Sequence, residues 1–422
     1  MSTDPAVGTD PAVSTDPALS ADAVGPADVA AAARVLDGVA LRTPVEASRA
    51  LSELAGGPVL LKCENLQRAG SFKIRGAYVR MSRLSAEEKA RGVVAASAGN
   101  HAQGVALAAR LLGLQATVYM PQGAALPKVA ATREYGATVV HVGTTVDEAL
   151  VAASEHAERT GAVLIHPFDH PDVVAGQGTI GLEILDQVPD VRTIIVPVGG
   201  GGLAAGIVAA LGDDHPDVQV IGVQAAGAAA YPASLAAGHP IPARSMSTMA
   251  DGIAVGRPGD VPFGLLHAHH VPVRTVSEED LSRALLLVAE RAKMLVEPSG
   301  AAGVAALLAG GEPVATPVVV ILSGGNIDPI VLLRVVRHGL ASAGRYLQLR
   351  VRIDDRPGAL AALLADLAAT GGNVMHVGPT WTGTDLDVDE VEIAVQVETR
   401  GPAHCGQVLA HLRDAGFRVS EG

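Results

Sequence analysis

The sequence predicts an α/β protein: two lobes of parallel sheet flanked by helices, followed by a smaller βαββαβ unit. Three observations predict it. Short apolar runs alternate with Ala/Leu-rich stretches of helical length from 26 to 345; glycine-rich loops follow several of those runs; and the texture changes after Arg345. Strand–helix alternation implies parallel sheets with helices on their faces, and so long a stretch of it suits two lobes with a cleft between them.

Residues 1–25 precede the pattern. TDPAV occurs at Thr3–Val7 and again at Thr9–Val13, and TDPAL at Thr15–Leu19. The unit is too short for a solenoid, and its prolines and aspartates favour turns and extended chain, so this segment reads as a flexible, passive tail. Within 26–345 the expected strands are Val93–Ala96, Thr117–Met120, Thr138–Val142, Val163–His166, Ile194–Val198, Val220–Val223 and Val318–Leu322, with a helix over His101–Leu112. The smaller lobe is expected at roughly 78–165. Residues 346–422 read as a separate unit. Leu347–Ile353 alternates as a strand, and Pro357 and Gly358 open a helix with Leu360, Leu363, Leu364 and Leu367 on one face. Asn373–Val377 and Val391–Glu398 follow as strands, then a helix over Ala403–Ala415 and a last strand at Phe417–Val419, the ferredoxin-like arrangement.

Composition narrows the function. Hydrophobic residues make up 49% of the 422-residue chain and charged residues 18%, which excludes a largely disordered protein. Aromatics are 2% and the net charge is −13 without a long basic run, which argues against nucleic acid or anionic membrane as partners. The two cysteines, Cys63 and Cys405, lack metal-type spacing and fit a reduced cytosol. The first basic side chain is Arg34, which disfavours a secretory or transit peptide. The apolar stretch Ile194–Leu211 is long enough to suggest a membrane span, but Pro197 and Gly199–Gly202 would break it; strand, glycine loop and helix explain it better.

Four motifs carry chemistry. In ENLQRAGSFKIRGAY (Glu64–Tyr78), Lys73 sits beside Phe72 and Ile74; desolvation there would favour the neutral amine that Schiff-base chemistry needs, though most lysines are solvated surface residues. SAGNHAQG (Ser97–Gly104) lies between strand and helix, where amides with Ser97 and Asn100 can hold a carboxylate or merely cap the helix. Gly199–Gly202 joins a strand to a helix and can wrap a phosphate or form a tight turn; it matches neither the P-loop nor GxGxxG. SGGN (Ser323–Asn326) offers a hydroxyl for a ring nitrogen, or a plain turn.

In this order the motifs, with ADGIAV (Ala250–Val255) and EPSGA (Glu297–Ala301), resemble the fold-type II (tryptophan synthase β-like) pyridoxal-phosphate enzymes, and within them the threonine and serine dehydratases. The resemblance spans roughly Val29–Arg345. It implies that Lys73 carries pyridoxal 5′-phosphate with Phe72 beside it, and that Gly199, Gly200, Gly201, Gly202 and Leu203 cradle the phosphate. It further implies that Asn100 bonds the ring hydroxyl, that Ser323 bonds the ring nitrogen, and that Ser97, Asn100 and His101 hold the substrate carboxylate. His101 can equally be a packed or capping histidine. The implied reaction converts L-threonine to 2-oxobutanoate and ammonia, with L-serine giving pyruvate. Lys73 is the general base, and the β-hydroxyl leaves with a proton from the cofactor phosphate. Serine racemases have a serine where this chain has Ala98, so racemisation is expected to be minor. Relatives with a divalent ion use acidic residues after the strand matching Val220–Val223; Gln224–Ala230 has none, and no metal is expected.

Residues 346–422 resemble an ACT regulatory domain, with Asp355, Pro357, Gly358, Leu360 and Asn373 at its ligand-facing turn. The implied effector is isoleucine or valine, bound where two such domains pair in a dimer or tetramer; a purely structural oligomerisation module is the alternative. Asp385, Asp387 and Asp389 alternate as in a calcium loop but lack its glycine and terminal Glu. Rivals to the main reading are a catabolic serine/threonine dehydratase, a threonine synthase or cysteine synthase-like transferase, and a silent amino-acid sensor.

Overall fold

The computed structural model describes residues 24–381 and 386–421. The TDPAV repeats and Asp385 therefore lie outside the described residues. Contacts divide the chain into two units, one ending at Ile327 and the other beginning at Asp328.

The strands of the first unit are β1 (Val45–Ala47), β2 (Val59–Lys62), β3 (Val93–Ala96), β4 (Ala116–Met120), β5 (Thr138–His141), β6 (Val163–Leu164), β7 (Thr193–Pro197), β8 (Gln219–Ala225), β9 (Val273–Val276) and β10 (Val318–Ile321). They form a six-stranded sheet in the order β1-β2-β10-β7-β8-β9 and a four-stranded sheet in the order β5-β4-β3-β6. Every pairing is parallel except β1 with β2. β3, β7 and β10 are buried along their whole length, as unbroken apolar runs must be when helices cover both faces. Each sheet has its own core, Ile194, Val196 and Ile207 in one and Val93, Val105 and Val118 in the other.

Strand order decides where a site can form. From β7 the larger sheet grows one way through β8 and β9, then the chain crosses back to lay β10 on the other side. From β3 the smaller sheet grows through β4 and β5, then returns to β6. Crevices open beyond the carboxyl ends of strands at such reversals. The loops leaving β3, β7 and β10 are the motifs Ser97–Gly104, Gly199–Gly202 and Ser323–Asn326.

Strands β1, β2 and β9 carry no periodic signal long enough to be expected from the sequence. The stretch Ile194–Leu211 divides into β7, a glycine turn and the helix Gly202–Leu211. Among the described residues no helix is long and apolar enough to cross a membrane.

In the second unit the helix Pro329–Ser342 leads into β11 (Tyr346–Asp354), the helix Ala359–Ala369, β12 (Asn373–Thr380), β13 (Glu390–Glu398), the helix Pro402–Asp414 and β14 (Arg418–Glu421). The antiparallel order β12-β13-β11-β14 is the ferredoxin-like arrangement. Alternate residues of β11 and β13 bury Leu349, Val351, Ile393 and Val395 against Leu363, Leu367 and Leu412. The unit begins one helix before the change of texture at Arg345. Val335 and Gly339 of that first helix are buried, and Thr399 ties its exit down by donating to Arg345 O (3.0 Å) and Gly344 O (2.6 Å).

Candidate active site

Lys73 opens the helix Lys73–Ser82. The chain reaches it through two left-handed residues, Ala69 and Gly70, and is then stitched to the loop after β10. Ser71 bridges Gly324, Phe72 N donates to Ser323 O (3.3 Å), and Gly325 N donates to Gly70 O (2.8 Å). Lys73 Nζ donates to Pro167 O at 2.9 Å and lies 5.1 Å from the centre of the Phe72 ring. Burial outweighs the attraction of Glu297 and lowers its ammonium to about 8, so a usable share of neutral amine exists near neutrality. Two residues on, Arg75 is buried and gripped by Glu64 at 2.9 and 2.8 Å and by Glu183 at 2.6 Å, which anchors the lysine's helix from below.

Ser97 and Asn100 sit where β3 hands over to the helix Asn100–Leu112. Ser97 Oγ accepts from Gly99 N at 3.1 Å. Asn100 Nδ2 donates to Glu297 Oε1, and Asn100 Oδ1 accepts from Asn326 Nδ2 at 2.8 Å. The amide is thus fixed at both ends, and its second Nδ2 hydrogen remains for a ligand. His101 is buried, with Nε2 2.7 Å from the Ile165 carbonyl, so that nitrogen is the donor. Burial, then the charge of Lys73, pushes its imidazolium down to about 3, and the ring is neutral.

The glycine run follows β7 and starts the helix Gly202–Leu211. A Cβ on Gly200 would stand 2.4 Å from the Phe168 ring, and one on Gly201, at φ +99°, 1.9 Å from Tyr231 Oη. Only glycines fit there. The first intrahelical donor is Ala205 N, to Gly201 O at 2.9 Å, so the preceding amides of Gly202, Leu203 and Ala204 have no acceptor within the helix. Leu203 and Ser323 are both buried.

Sequence reasoning missed the loop that links these parts. His166 Nδ1 accepts from Asp169 N at 2.8 Å, burial holds its imidazolium down to about 4, and its ring meets Phe168 edge-on at 4.6 Å. Pro167 thus touches the lysine while Phe168 covers the glycine turn. Nothing periodic marks this loop in the sequence. Glu297 and Asn326 were visible only as letters in EPSGA and SGGN. Burial pushes the Glu297 carboxyl up to about 7 despite the pull of Lys128, and Oε2 is buried without a hydrogen-bond partner. Among the described residues no three His, Cys, Asp or Glu side chains gather as metal ligands do.

These residues fit pyridoxal phosphate. A desolvated lysine lies one loop residue from a turn that admits no side chain. Free helix-start amides can take a phosphate. Ser71 Oγ and Ser299 Oγ, both buried without a partner, mark polar surface that the protein alone does not satisfy.

Comparisons with known proteins agree. The family model described as pyridoxal-phosphate dependent enzyme matches residues 36–324. The chain is 45% identical over 388 residues to the L-threonine ammonia-lyase of Thermotoga maritima, a match covering 92% of this chain and 97% of that protein. It is 43% identical over 300 residues to the catabolic L-threonine dehydratase of Escherichia coli, 70% of this chain and 91% of that one. Among solved structures, the processed form of threonine deaminase isoform 2 from Solanum lycopersicum superposes with a TM-score of 0.70 at 39% identity, covering 74% of this chain and 91% of that chain.

Proposed function

The chain belongs to the pyridoxal-phosphate dependent enzyme family, and from that premise we propose that it is an L-threonine ammonia-lyase that also accepts L-serine. The observation that carries the reading is a run of neighbours: Asn100 donates to Glu297, whose charge acts on Lys73, and Lys73 donates to Pro167 O, next to Phe168 over Gly200. That set joins a substrate loop, an amine and a phosphate cradle at the strand ends where both sheets reverse.

Lys73 would hold the cofactor, the Gly199–Leu203 amides its phosphate, and Asn100 and Ser323 its ring. When bound, pyridoxal phosphate supplies the electron sink that makes an amino acid's α-proton removable. The chain does the rest. Ser97, Asn100 and the adjacent amides hold the substrate carboxylate, and neutral His101 braces that loop through Ile165. Lys73, once free, takes the α-proton as general base, its amine already favoured by burial. Ser323 would offer the ring nitrogen a hydroxyl rather than a carboxylate, a partner that would not hold that nitrogen protonated. Ala98 gives no acid on the opposite face, so racemisation stays minor.

The second unit is an ACT-type regulatory domain in this reading, binding isoleucine or valine between paired copies in a cytosolic dimer or tetramer. Support comes from the ferredoxin-like strand order and from the exposure of the turn Asp355–Gly358, of Leu360 and of Asn373. The match with the Thermotoga protein covers 92% of this chain, against 70% for the catabolic relative, which favours a likeness that takes in the second unit.

The test is 2-oxo-acid release from L-threonine and L-serine assayed side by side, with and without isoleucine. A kcat/KM preference for threonine with inhibition by isoleucine supports the reading. Better use of serine without inhibition supports the catabolic rival, and no product from either would sink the lyase.

A further inference from the structure

The turn Asp251–Ile253 reaches both halves of the site. On one side it backs the phosphate cradle, for a Cβ on Gly199 would lie 3.1 Å from Ile253 Cα. Beneath it, a Cβ on Gly252 would lie 2.7 Å from Ser299 Oγ and 3.4 Å from Glu297 Oε1. On the other side Asp251 Oδ2 meets Lys128 Nζ at 2.6 Å. Lys128 belongs to the smaller lobe, on the helix Leu126–Glu134, and its side chain is 8% exposed against 55% for Asp251. Its Nζ stands 3.3 Å from where a Cβ on Gly99 would be. Gly99 caps the helix that Asn100 opens. A buried lysine thus lies against the substrate loop while its partner carboxylate springs from the turn behind the cradle.

We propose that the Lys128–Asp251 pair is a positioning strap between the lobes, holding the Ser97–Asn100 loop in register with the glycine cradle so that the substrate carboxylate meets the loop while the cofactor sits in the cradle. The proposal rests on the reading of that loop as the carboxylate site. Ordinary surface ion pairs do little, but this one buries its cation at a lobe boundary, where geometry rather than net attraction is at stake. Neither residue need touch the reacting atoms.

The experiment titrates the holoenzyme with L-2-aminobutanoate, which is threonine without its hydroxyl and cannot eliminate, following the cofactor's absorbance. The proteins are the wild type, Asp251→Asn, Lys128→Met, the double variant and Lys128→Arg. Each of the first two singles should raise Kd by about three- to tenfold, with KM for threonine moving more than kcat. The double should be no worse than the worse single, since the strap is cut once by either change. Lys128→Arg should recover most of the affinity, and cofactor content should stay at the wild-type value. Wild-type affinity in Asp251→Asn, additive losses, or a loss in Lys128→Met alone would each overturn the strap; the last would make the lysine a direct ligand. If Lys128→Met does not fold, Asp251→Asn decides by itself. A wild type that responds to neither aminobutanoate nor threonine would instead sink the amino-acid reading.

Discussion

Gly104 packs so closely on Lys73 that a Cβ on the glycine would stand 3.0 Å from the lysine's own Cβ and carbonyl carbon. The helix carrying Asn100 therefore crosses the start of the lysine's helix with no room between them. Gly104→Val adds bulk at that crossing, and overpacking of this kind typically costs about 1–3 kcal/mol. Because the displaced atoms belong to Lys73, the larger effect should fall on cofactor retention. We expect a lowered Tm together with cofactor lost on dialysis, while Gly406→Ala, with open space around it, keeps both.

The amine of Lys73 has a pH signature. Its burial favours the neutral form, with the ammonium lowered to about 8. Covalent capture of pyridoxal phosphate by the apo-protein needs that neutral form, whose share rises tenfold per pH unit below the pKa and levels off above it. The capture rate should therefore climb from pH 6 and flatten near 8, whereas a free lysine analogue should still be climbing toward about 10.4. Mixing apo-protein with cofactor across that range and following absorbance tests it. A rate that keeps climbing to pH 10 would show that the lysine is solvated.

The cradle predicts a sharper loss. Gly200→Ala would drive its methyl to within 2.4 Å of the Phe168 ring, and the ring is held in turn against His166. Phe168 must move, and Pro167, which carries the acceptor of Lys73, moves with it. Cofactor affinity should fall by at least about tenfold, or 1.4 kcal/mol, with the Tm of the apo-protein much less affected. Equilibrium dialysis of the cofactor against variant and wild type measures the first, and thermal unfolding the second.

The parts of the site differ in how openly the sequence displayed them. Strands such as Val93–Ala96 and Val318–Ile321 are unbroken β-branched and Ala runs, and both were legible, as was the ferredoxin-like unit with its alternating strands. Lys73, the glycine run and Ser323 each had a plain structural reading when taken singly, and stood out through the resemblance that their motifs carry in order. Glu297, Lys128 and Asp251 were not. Each is one charged residue in an ordinary helix or turn, and their importance arises from the burial of Glu297 and Lys128 and from pairings that span 123 and 197 residues of chain. Pro167 acts through a carbonyl, which no side-chain pattern records. For His101 the resemblance implied substrate contact, with a packed histidine as the alternative, and the fold turns Nε2 toward Ile165 O.

The ion cluster beneath Lys73 yields the last prediction. Arg75 and Lys62 are buried with Glu64 and the partly buried Glu183; Lys62 Nζ reaches Glu183 at 2.5 Å and Thr43 O at 2.9 Å. Two cations and two carboxylates balance. Glu64→Gln would leave one excess positive charge in a dry environment, and breaking a buried pair in this way costs about 3–5 kcal/mol. Lys62 can relieve it. Burial already lowers the pKa of its ammonium, with Glu183 and Glu64 pulling the other way, so losing the Glu64 charge lowers it further. Once pH exceeds that lowered value, Lys62 is neutral in the folded variant, and the cluster balances again. The penalty of Glu64→Gln relative to wild type should therefore shrink as pH rises from 6 to 9. Urea melts of both proteins at the two pH values measure it. A penalty that stays constant would mean that Lys62 keeps its proton and that the excess charge is dispersed instead through Glu183 and the backbone carbonyls of Thr43 and Leu41, which already accept from Lys62 and Arg75.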